Sequence, residues 1–168
     1  MTKAIWVTGL PASGKTTLAR TLVASLRAHG QDAELVDSDE VRAAITPSPT
    51  YDQAERLFVY RAMAYLSERL RRRGVVPVVA ATAHDPRLRA AVTAILDESI
   101  LVFAQCPVET CEARDPKGLY RRARARDAGT MPGVHVAYEP PTDPDVVVDT
   151  TRPVEPAAVD SIVARALA

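Results

Sequence analysis

A glycine-rich turn close to the amino terminus limits what this chain can fold into more than any other segment. The turn, residues 9–17 (GLPASGKTT), follows an apolar run at 4–8 and precedes a helical pattern, which predicts a strand, a tight turn and a helix. Such a turn directs backbone N–H groups and the positive end of the helix at one point, where a polyphosphate fits. The spacing GxxxxGKT therefore predicts a nucleoside triphosphate site. Its fixed positions are Gly9, Gly14, Lys15 and Thr16.

Two side chains of the turn have chemical roles in this interpretation. Lys15 supplies a flexible positive charge for the β and γ phosphates, and the Thr16 hydroxyl offers a hard oxygen ligand to Mg²⁺. The alternative is a chance glycine turn between a strand and a helix, and the motif does not indicate which compound receives the phosphate. The predicted cofactor-binding residues of the turn are Gly9, Ala12, Ser13, Gly14, Lys15, Thr16 and Thr17.

Size and charge exclude several classes of protein. The 168 residues predict one domain, 1–168, with a single core. Lys plus Arg and Asp plus Glu both number 21, so no general attraction to nucleic acid or to a membrane is expected. The amino terminus shows no signal-peptide pattern, which predicts a cytoplasmic protein. Cys106 and Cys111 lack partners at ligand spacing, which favours buried thiols over zinc or a disulfide framework.

Strand and helix patterns alternate along the chain, as in a parallel sheet that is covered by helices on both faces. The predicted fold class is α/β, a three-layer domain of the P-loop NTPase type with about five strands. The predicted strands are 4–8, 33–36, 75–80, 100–104 and 146–148. The predicted helices are 16–28, a short piece that ends at 45, 52–73, 86–98, 107–114 and 154–167.

Local details of these elements can be tested against a structure. Gly30 is expected to end the first helix in the left-handed region, and Ser38 or Asp39 to cap the second. Pro77, which lies inside the third strand, has no explanation in the sequence, because a proline cannot donate to a central ladder. The long helix is expected to place Phe58, Ala62, Tyr65, Leu66 and Leu70 inward and the arginines at 69 and 71–73 outward.

Two carboxylates follow the second strand, beside the glycine-rich turn that follows the first. Ligands of parallel sheets bind beyond the carboxyl ends of the strands, so Asp37 and Asp39 are candidates for metal binding and for accepting a hydroxyl proton. The alternative is that they only cap a helix. Arg42 and Arg56 lie within reach of an anionic acceptor, but ordinary surface arginines would have the same spacing.

Residues 115–137 have little apolar periodicity and predict a mobile lid that closes over phosphate. A solvated basic helix is the alternative. The cations in and beside this segment are Arg114, Lys117, Arg121, Arg122, Arg124 and Arg126.

Residues 106–125 (CPVETCEARDPKGLYRRARA) resemble the lid of the adenylylsulfate kinases nearly letter for letter, and GLPASGKTT and AYEPPTDPDVVVDT at 137–150 agree with that family. The resemblance implies ATP and Mg²⁺ as cofactors and the 3′-hydroxyl of adenosine 5′-phosphosulfate as acceptor. By resemblance, Thr16 and Asp37 hold the metal, Lys15, Asp37 and Asp39 are catalytic, and Arg114 and Lys117 contact ATP. The implied substrate-binding residues are Asp39, Arg42, Tyr51, Arg56, Lys117, Gly118, Leu119 and Met131.

Departures from the family pattern concentrate on the acceptor side. Glu40 and Val59 replace asparagines, AATAHDP at 80–86 replaces SFISPYR, and Met131 replaces a phenylalanine. These changes remove polar partners, so we expect weaker use of adenosine 5′-phosphosulfate than an intact motif would give. Three functions stay open: an adenylylsulfate kinase, a related kinase with another small hydroxyl compound as acceptor, and a nucleotide-binding regulator without turnover. The sequence does not indicate the oligomeric state, and a homodimer is one of the alternatives.

Overall fold

A five-stranded sheet forms the centre of the computed structural model, which describes residues 2–96 and 98–168. The strands are β1 (Ala4–Thr8), β2 (Ala33–Asp37), β3 (Val76–Ala80), β4 (Ser99–Gln105) and β5 (Val146–Asp149). All pairs are parallel, in the order β2-β3-β1-β4-β5, so the glycine-rich turn leaves the central strand. The predicted α/β fold with five strands is confirmed.

Helices cover both faces of the sheet. They are α1 (Lys15–Ala28), α2 (Ser38–Ile45), α3 (Gln53–Arg71), α4 (Pro86–Thr93), α5 (Val108–Arg114), α6 (Leu119–Arg124) and α7 (Pro156–Leu167). Side chains of α1 and α7 share one core with the sheet, and side chains of α3 and α4 share a second core on the opposite face. Within the part of the chain that the structure describes, no helix combines the length and apolar character needed to cross a membrane.

The ends of the first two helices agree only partly with the sequence predictions. Gly30, at φ 75°, follows α1 in the left-handed region as expected. The predicted cap of α2 is wrong, because Asp37 rather than Ser38 or Asp39 is the N-cap and its Oδ1 accepts from the Asp39 amide at 2.9 Å. The extended backbone of the last strand residue allows this bond. Asp37 therefore belongs to both the strand end and the helix cap.

The predicted faces of α3 are partly wrong. Leu70 packs against the core as expected, but Arg71, which was expected to face outward, is buried. Phe58, Tyr65 and Leu66 are 57%, 62% and 43% exposed, and a neighbouring stripe is buried instead. Two apolar stripes with helical spacing run side by side here, so periodicity alone cannot choose between them. The buried stripe also holds the ion pair between Glu68 and Arg71. An apolar pattern does not include charged residues, so it missed this stripe. Its members are Arg56, Val59, Tyr60, Met63, Ala64, Ser67, Glu68 and Arg71.

Pro77 fits β3 because its missing donor falls outside a ladder. Alternate residues of a parallel strand bond to opposite neighbours. The Val76 amide donates to the Asp32 carbonyl beside β2 at 2.8 Å, so the next nitrogen faces β1. The register of β1 with β3 starts at Val78, which pairs with Ile5. The proline nitrogen therefore lies just before the β1 ladder begins.

Two further elements differ from the predictions. The helix predicted over 86–98 ends at Thr93, and Asp97 lies outside the described residues. Residues 115–137, which we call the lid, contain the short helix α6, whose Tyr120 is fully buried against Leu10 and Cys111. Both cysteines are buried, as predicted. The lid is therefore anchored by a small core that it shares with residues outside it.

Candidate active site

Residues 9–17, which we call the phosphate loop, have a backbone that few side chains would permit. A Cβ on Gly9 would lie 2.7 Å from the Ala104 carbonyl oxygen, so no other residue fits there without a shift of the backbone. Ala12 and Gly14 have φ values of 60° and 86°, in the left-handed region. The turn leads into α1 at Lys15, so the helix begins with its N–H groups directed at the loop.

Lys15, which follows Gly14 in the loop, is partly buried and lines the cavity. Its Nζ donates to the Leu10 carbonyl at 3.0 Å. Burial lowers the pKa of Lys15 to about 8, although Asp39 and Asp37 act to raise it. A polyphosphate in the loop would stabilise the charged form of this side chain, because an opposite charge raises the pKa of an amine.

The residues expected to hold Mg²⁺ lie together. The Thr16 hydroxyl donates to Asp37 Oδ2 at 3.0 Å. Mg²⁺ is commonly held by one or two protein oxygens while phosphates and waters complete its octahedron, and this hydroxyl and carboxylate form such a donor set. The residues present therefore fit a magnesium ion that accompanies a nucleotide.

Asp39 lies at the start of α2 and contacts the lid. Lys117 Nζ is 2.5 Å from Asp39 Oδ2, and both side chains are well exposed. The hydrogen bond to Asp39 raises the pKa of Lys117. The structure thus brings the predicted acceptor-side carboxylate and the predicted lid lysine into direct contact.

One cavity of about 1090 Å³ joins the phosphate loop to the lid and to the start of α3. We call the part lined by Ala12, Gly14, Lys15 and Thr16 the loop end. The part lined by Arg42, Tyr51, Arg56 and Met131 is called the aromatic end. Asp37, Asp39, Lys117 and Leu119 also line this cavity.

Arg42 and Arg56 are not ordinary surface arginines, because they are only 5% and 6% exposed. Arg42 Nη1 bonds to Glu55 Oε1 at 2.7 Å, and its guanidinium carbon lies 4.5 Å from the centre of the Tyr51 ring. Arg56 donates from Nε to the Tyr51 carbonyl at 2.8 Å and from Nη2 to the Thr130 carbonyl at 2.9 Å. Both arginines therefore hold the walls of the aromatic end together.

Arg114 lies beside the phosphate loop and does not line the cavity. Its Nη2 donates to the carbonyls of Thr150 and Thr151 at 2.7 and 3.0 Å. A Cβ on Gly14 would be 4.0 Å from Arg114 Nη1, so this arginine borders the loop.

The other predicted residues are distributed as follows. Ser13 is fully buried and its hydroxyl has no hydrogen-bond partner among the described residues, whereas Thr17 is exposed. Gly9, Ser13, Thr17 and Gly118 do not line the cavity. Gly118 precedes α6 with φ 63°, and a Cβ there would lie 3.0 Å from Arg121 Nη2. Gly9 and Gly118 therefore shape the loop and the lid through their backbones, and the predicted roles of Ser13 and Thr17 in nucleotide binding stay predictions.

Several residues at the site were missed by the sequence analysis. The Thr8 hydroxyl donates to the Thr82 carbonyl at 2.6 Å and lies 3.1 Å from the Tyr138 hydroxyl, which connects β1 to two loops. No short-range pattern indicates this contact. Glu55 could have been found, because Asp52 and Glu55 have the spacing of a helix capping box.

Comparisons with known proteins agree with one another. The family model described as Adenylylsulphate kinase matches residues 1–149. An adenylyl-sulfate kinase of a Synechococcus species is 36% identical over 159 residues, covering 95% of this chain and 91% of that protein. A probable adenylyl-sulfate kinase of Archaeoglobus fulgidus is 34% identical over 152 residues, covering 90% and 98%. The solved Mycobacterium tuberculosis APS kinase CysC, in complex with AMPPNP and APS, is 30% identical with a TM-score of 0.88, covering 96% of this chain and 95% of that chain.

Proposed function

The chain belongs to the adenylylsulfate kinase family and is an ATP-dependent phosphotransferase with an alcohol group as acceptor; from this premise we propose that the acceptor is the 3′-hydroxyl of adenosine 5′-phosphosulfate. The observation that supports this acceptor best is the single cavity that continues from the phosphate loop to the aromatic end. Asp39 lines the same cavity, and the acceptor hydroxyl would meet the γ-phosphate beside it.

Each end of the cavity suits one part of the proposed pair of substrates. The loop end offers backbone N–H groups and Lys15 to a triphosphate. The aromatic end offers the exposed face of Tyr51 and the flexible side chain of Met131, between which a flat ring can stack. Adenosine 5′-phosphosulfate carries both a purine and an anionic tail, so it matches this combination.

The proposed mechanism uses five side chains of this protein. Asp39 accepts the proton of the acceptor hydroxyl as that oxygen bonds to the γ-phosphorus of ATP. Lys15 stabilises the charge that develops as the bond to the β-phosphate breaks and ADP leaves. Thr16 and Asp37 would hold Mg²⁺, which neutralises phosphate charge when it is bound. Lys117, bonded to Asp39, orients this carboxylate and closes the lid over it.

The test is direct turnover with a panel of acceptors. Purified protein with MgATP is incubated with adenosine 5′-phosphosulfate, with adenosine 5′-phosphate and with small hydroxyl compounds, and the products are resolved by mass. We expect adenosine 5′-phosphosulfate to gain one phosphoryl group at the 3′ position, which NMR can locate. Preferential phosphorylation of another compound would contradict the proposed acceptor. Nucleotide binding without any product would favour a regulator.

We also propose that the protein forms a homodimer through the outward face of α3. Leu57, Phe58, Tyr65 and Leu66 are 38% to 62% exposed on this face. The two pairs lie on either side of Ala62, so two antiparallel copies that cross there would each cover the other's exposed pairs, as a twofold interface requires. Light scattering should give twice the monomer mass for the wild type and the monomer mass for Phe58→Glu. A monomeric wild type would contradict the proposal.

A cytoplasmic location is proposed as well, because ATP, the phosphate donor, is supplied there. Cell fractionation with an antibody to the protein tests it. Recovery of the protein in a membrane or extracellular fraction would contradict this location.

A further inference from the structure

Glu55, in the first turn of α3, contacts both walls of the aromatic end without lining the cavity itself. We propose that Glu55 is a positioning residue that sets Tyr51 and Arg42 for the acceptor and so determines acceptor affinity. This inference rests on the proposed function, because it concerns the acceptor half of the same site. It assigns no contact with ATP to Glu55.

The first contact of Glu55 is with the turn that carries Tyr51. Glu55 Oε2 accepts from the Thr50 amide at 2.5 Å, from the Thr50 hydroxyl at 2.8 Å and from the Tyr51 amide. Tyr51 has φ 58°, a left-handed conformation that a non-glycine residue adopts only when its surroundings require it. Arg56 binds the Tyr51 carbonyl, so charged groups hold this residue at both its amide and its carbonyl.

The second contact of Glu55 is with Arg42. Oε1 accepts from Arg42 Nη1 at 2.7 Å, and both side chains are almost fully buried. A guanidinium carries five N–H donors in a rigid plane, so one strong bond fixes the direction of the others. The same guanidinium lies 4.5 Å below the Tyr51 ring. One carboxylate therefore fixes the aromatic ring and the cation beneath it relative to each other.

The charge of Glu55 is stable over the working pH range. Burial acts to raise its pKa, but hydrogen bonds from Thr50, Tyr51 and Arg42 outweigh this effect and lower the pKa to about 2. The carboxylate is therefore ionised near neutral pH, and its strong hydrogen bonds persist there.

A purely structural role for Glu55 is the competing explanation. Asp52 caps α3 by accepting from the Glu55 amide at 2.8 Å, and a glutamate at this spacing commonly reaches back to stabilise the helix start. A structural role would change stability alone. A positioning role would also change the KM for the acceptor while leaving kcat and the KM for ATP nearly unchanged.

The chain offers a matched control on the same helix. Glu68 is also nearly buried, and it bridges Arg71 at 2.9 Å and Arg72 at 2.7 Å. It lies roughly 20 Å further along the helix axis at 1.5 Å per residue. Glu55→Gln and Glu68→Gln make the same chemical change, so a general loss of stability in α3 should affect both variants alike.

The experiment measures initial rates with adenosine 5′-phosphosulfate varied at saturating ATP, and then with ATP varied at saturating acceptor. We expect Glu55→Gln to raise the acceptor KM about tenfold or more, because charge-assisted hydrogen bonds to two cavity walls are lost. Its kcat and KM for ATP should stay within about threefold of wild type, and Glu68→Gln should shift none of the three constants. Should Glu55→Gln fail to fold, Thr50→Val removes one of the same bonds and should shift the acceptor KM in the same direction.

The outcomes separate this inference from the proposed function. Wild-type enzyme that does not phosphorylate adenosine 5′-phosphosulfate would contradict the proposed acceptor. Wild-type enzyme that does so, together with an unchanged acceptor KM in Glu55→Gln or an equal shift in Glu68→Gln, would contradict only the role of Glu55.

Discussion

The two ends of the cavity are built from different parts of the polypeptide. At the loop end, the backbone defines the site: Gly9 has no room for a Cβ, and Ala12 and Gly14 adopt left-handed conformations. At the aromatic end, side chains define it: Glu55 binds Arg42, and Arg56 binds backbone carbonyls. The sequence of the loop end can therefore change little without altering the backbone. The aromatic end can be altered one side chain at a time.

This difference explains where the chain departs from its family pattern. Every fixed position of the glycine-rich turn is present. Of the replaced residues, Glu40 and Met131 line the cavity, whereas Val59 is fully buried in the core beneath α3 and does not reach it. A backbone site loses its shape when a glycine is replaced, so it changes rarely. A side-chain site can acquire new contacts while the fold stays intact. The donor machinery and the acceptor pocket can therefore diverge at different rates.

The largest expected effect comes from removing the one essential charge of the loop end. Lys15→Met should abolish measurable phosphoryl transfer, with a loss of at least about 10²–10³-fold, because no neighbouring side chain can supply a charge at the same place. Turnover with every acceptor should be lost, since the donor is common to all. Circular dichroism and thermal unfolding should show an intact fold. Normal turnover in the folded variant would show that the loop end does not need the charge of Lys15.

A smaller loss is expected at the boundary between the two ends. Asp39→Asn should lower kcat by about two orders of magnitude, because the amide cannot accept the hydroxyl proton. The Kd for ATP, measured by calorimetry, should change little. A variant that loses only ATP affinity would place Asp39 at the loop end instead.

The pKa of Lys15 predicts a proton effect that belongs to the loop end alone. In the free protein this pKa is about 8, so at pH 8.5 a large share of the side chains is neutral. Bound phosphates raise the pKa and favour the ammonium, so ATP binding should take up protons near pH 8 and above and should weaken as pH rises. Calorimetry in buffers of different ionisation enthalpy measures the uptake. Lys15→Met should abolish it, and equal uptake in that variant would assign it to another group.

The smallest effect is expected in the dynamics of the lid. Amides of residues 115–137 should gain protection from hydrogen exchange when nucleotide binds, because most of this segment is exposed and rich in cations. The gain should be least around Tyr120, which is fully buried and donates to the Pro11 carbonyl at 2.8 Å. Equal protection with and without nucleotide would show that the lid is as rigid as the loop end.

Sequence patterns predicted the sheet and the loop end well, since both follow short-range rules. The strands and most helices appeared within a few residues of their predicted bounds, although α4 is shorter than predicted and α6 was not predicted. Lys15 and Thr16, which the glycine spacing singled out, line the same cavity. These features depend on neighbours along the chain. A pattern of five or ten residues is therefore enough to specify them.

The aromatic end and the face of α3 depend on contacts between distant segments, and prediction was weaker there. The contact of Arg56 with the Thr130 carbonyl joins residues far apart in sequence, which no local spacing indicates. The inward stripe of α3 includes Glu68 and Arg71, whose mutual ion pair lets them be buried. An apolar pattern excludes such residues, so it selected Phe58 and Tyr65 instead.

The left-handed conformation of Tyr51 has a consequence for how this protein can evolve. A tyrosine held at φ 58° costs of order 1 kcal/mol relative to a glycine, which adopts this conformation freely. Variants selected only for heat resistance should therefore accumulate glycine or asparagine at this position, while variants selected for growth that depends on the enzyme's activity should keep an aromatic ring. The residue thus marks a place where stability and fitness favour opposite mutations.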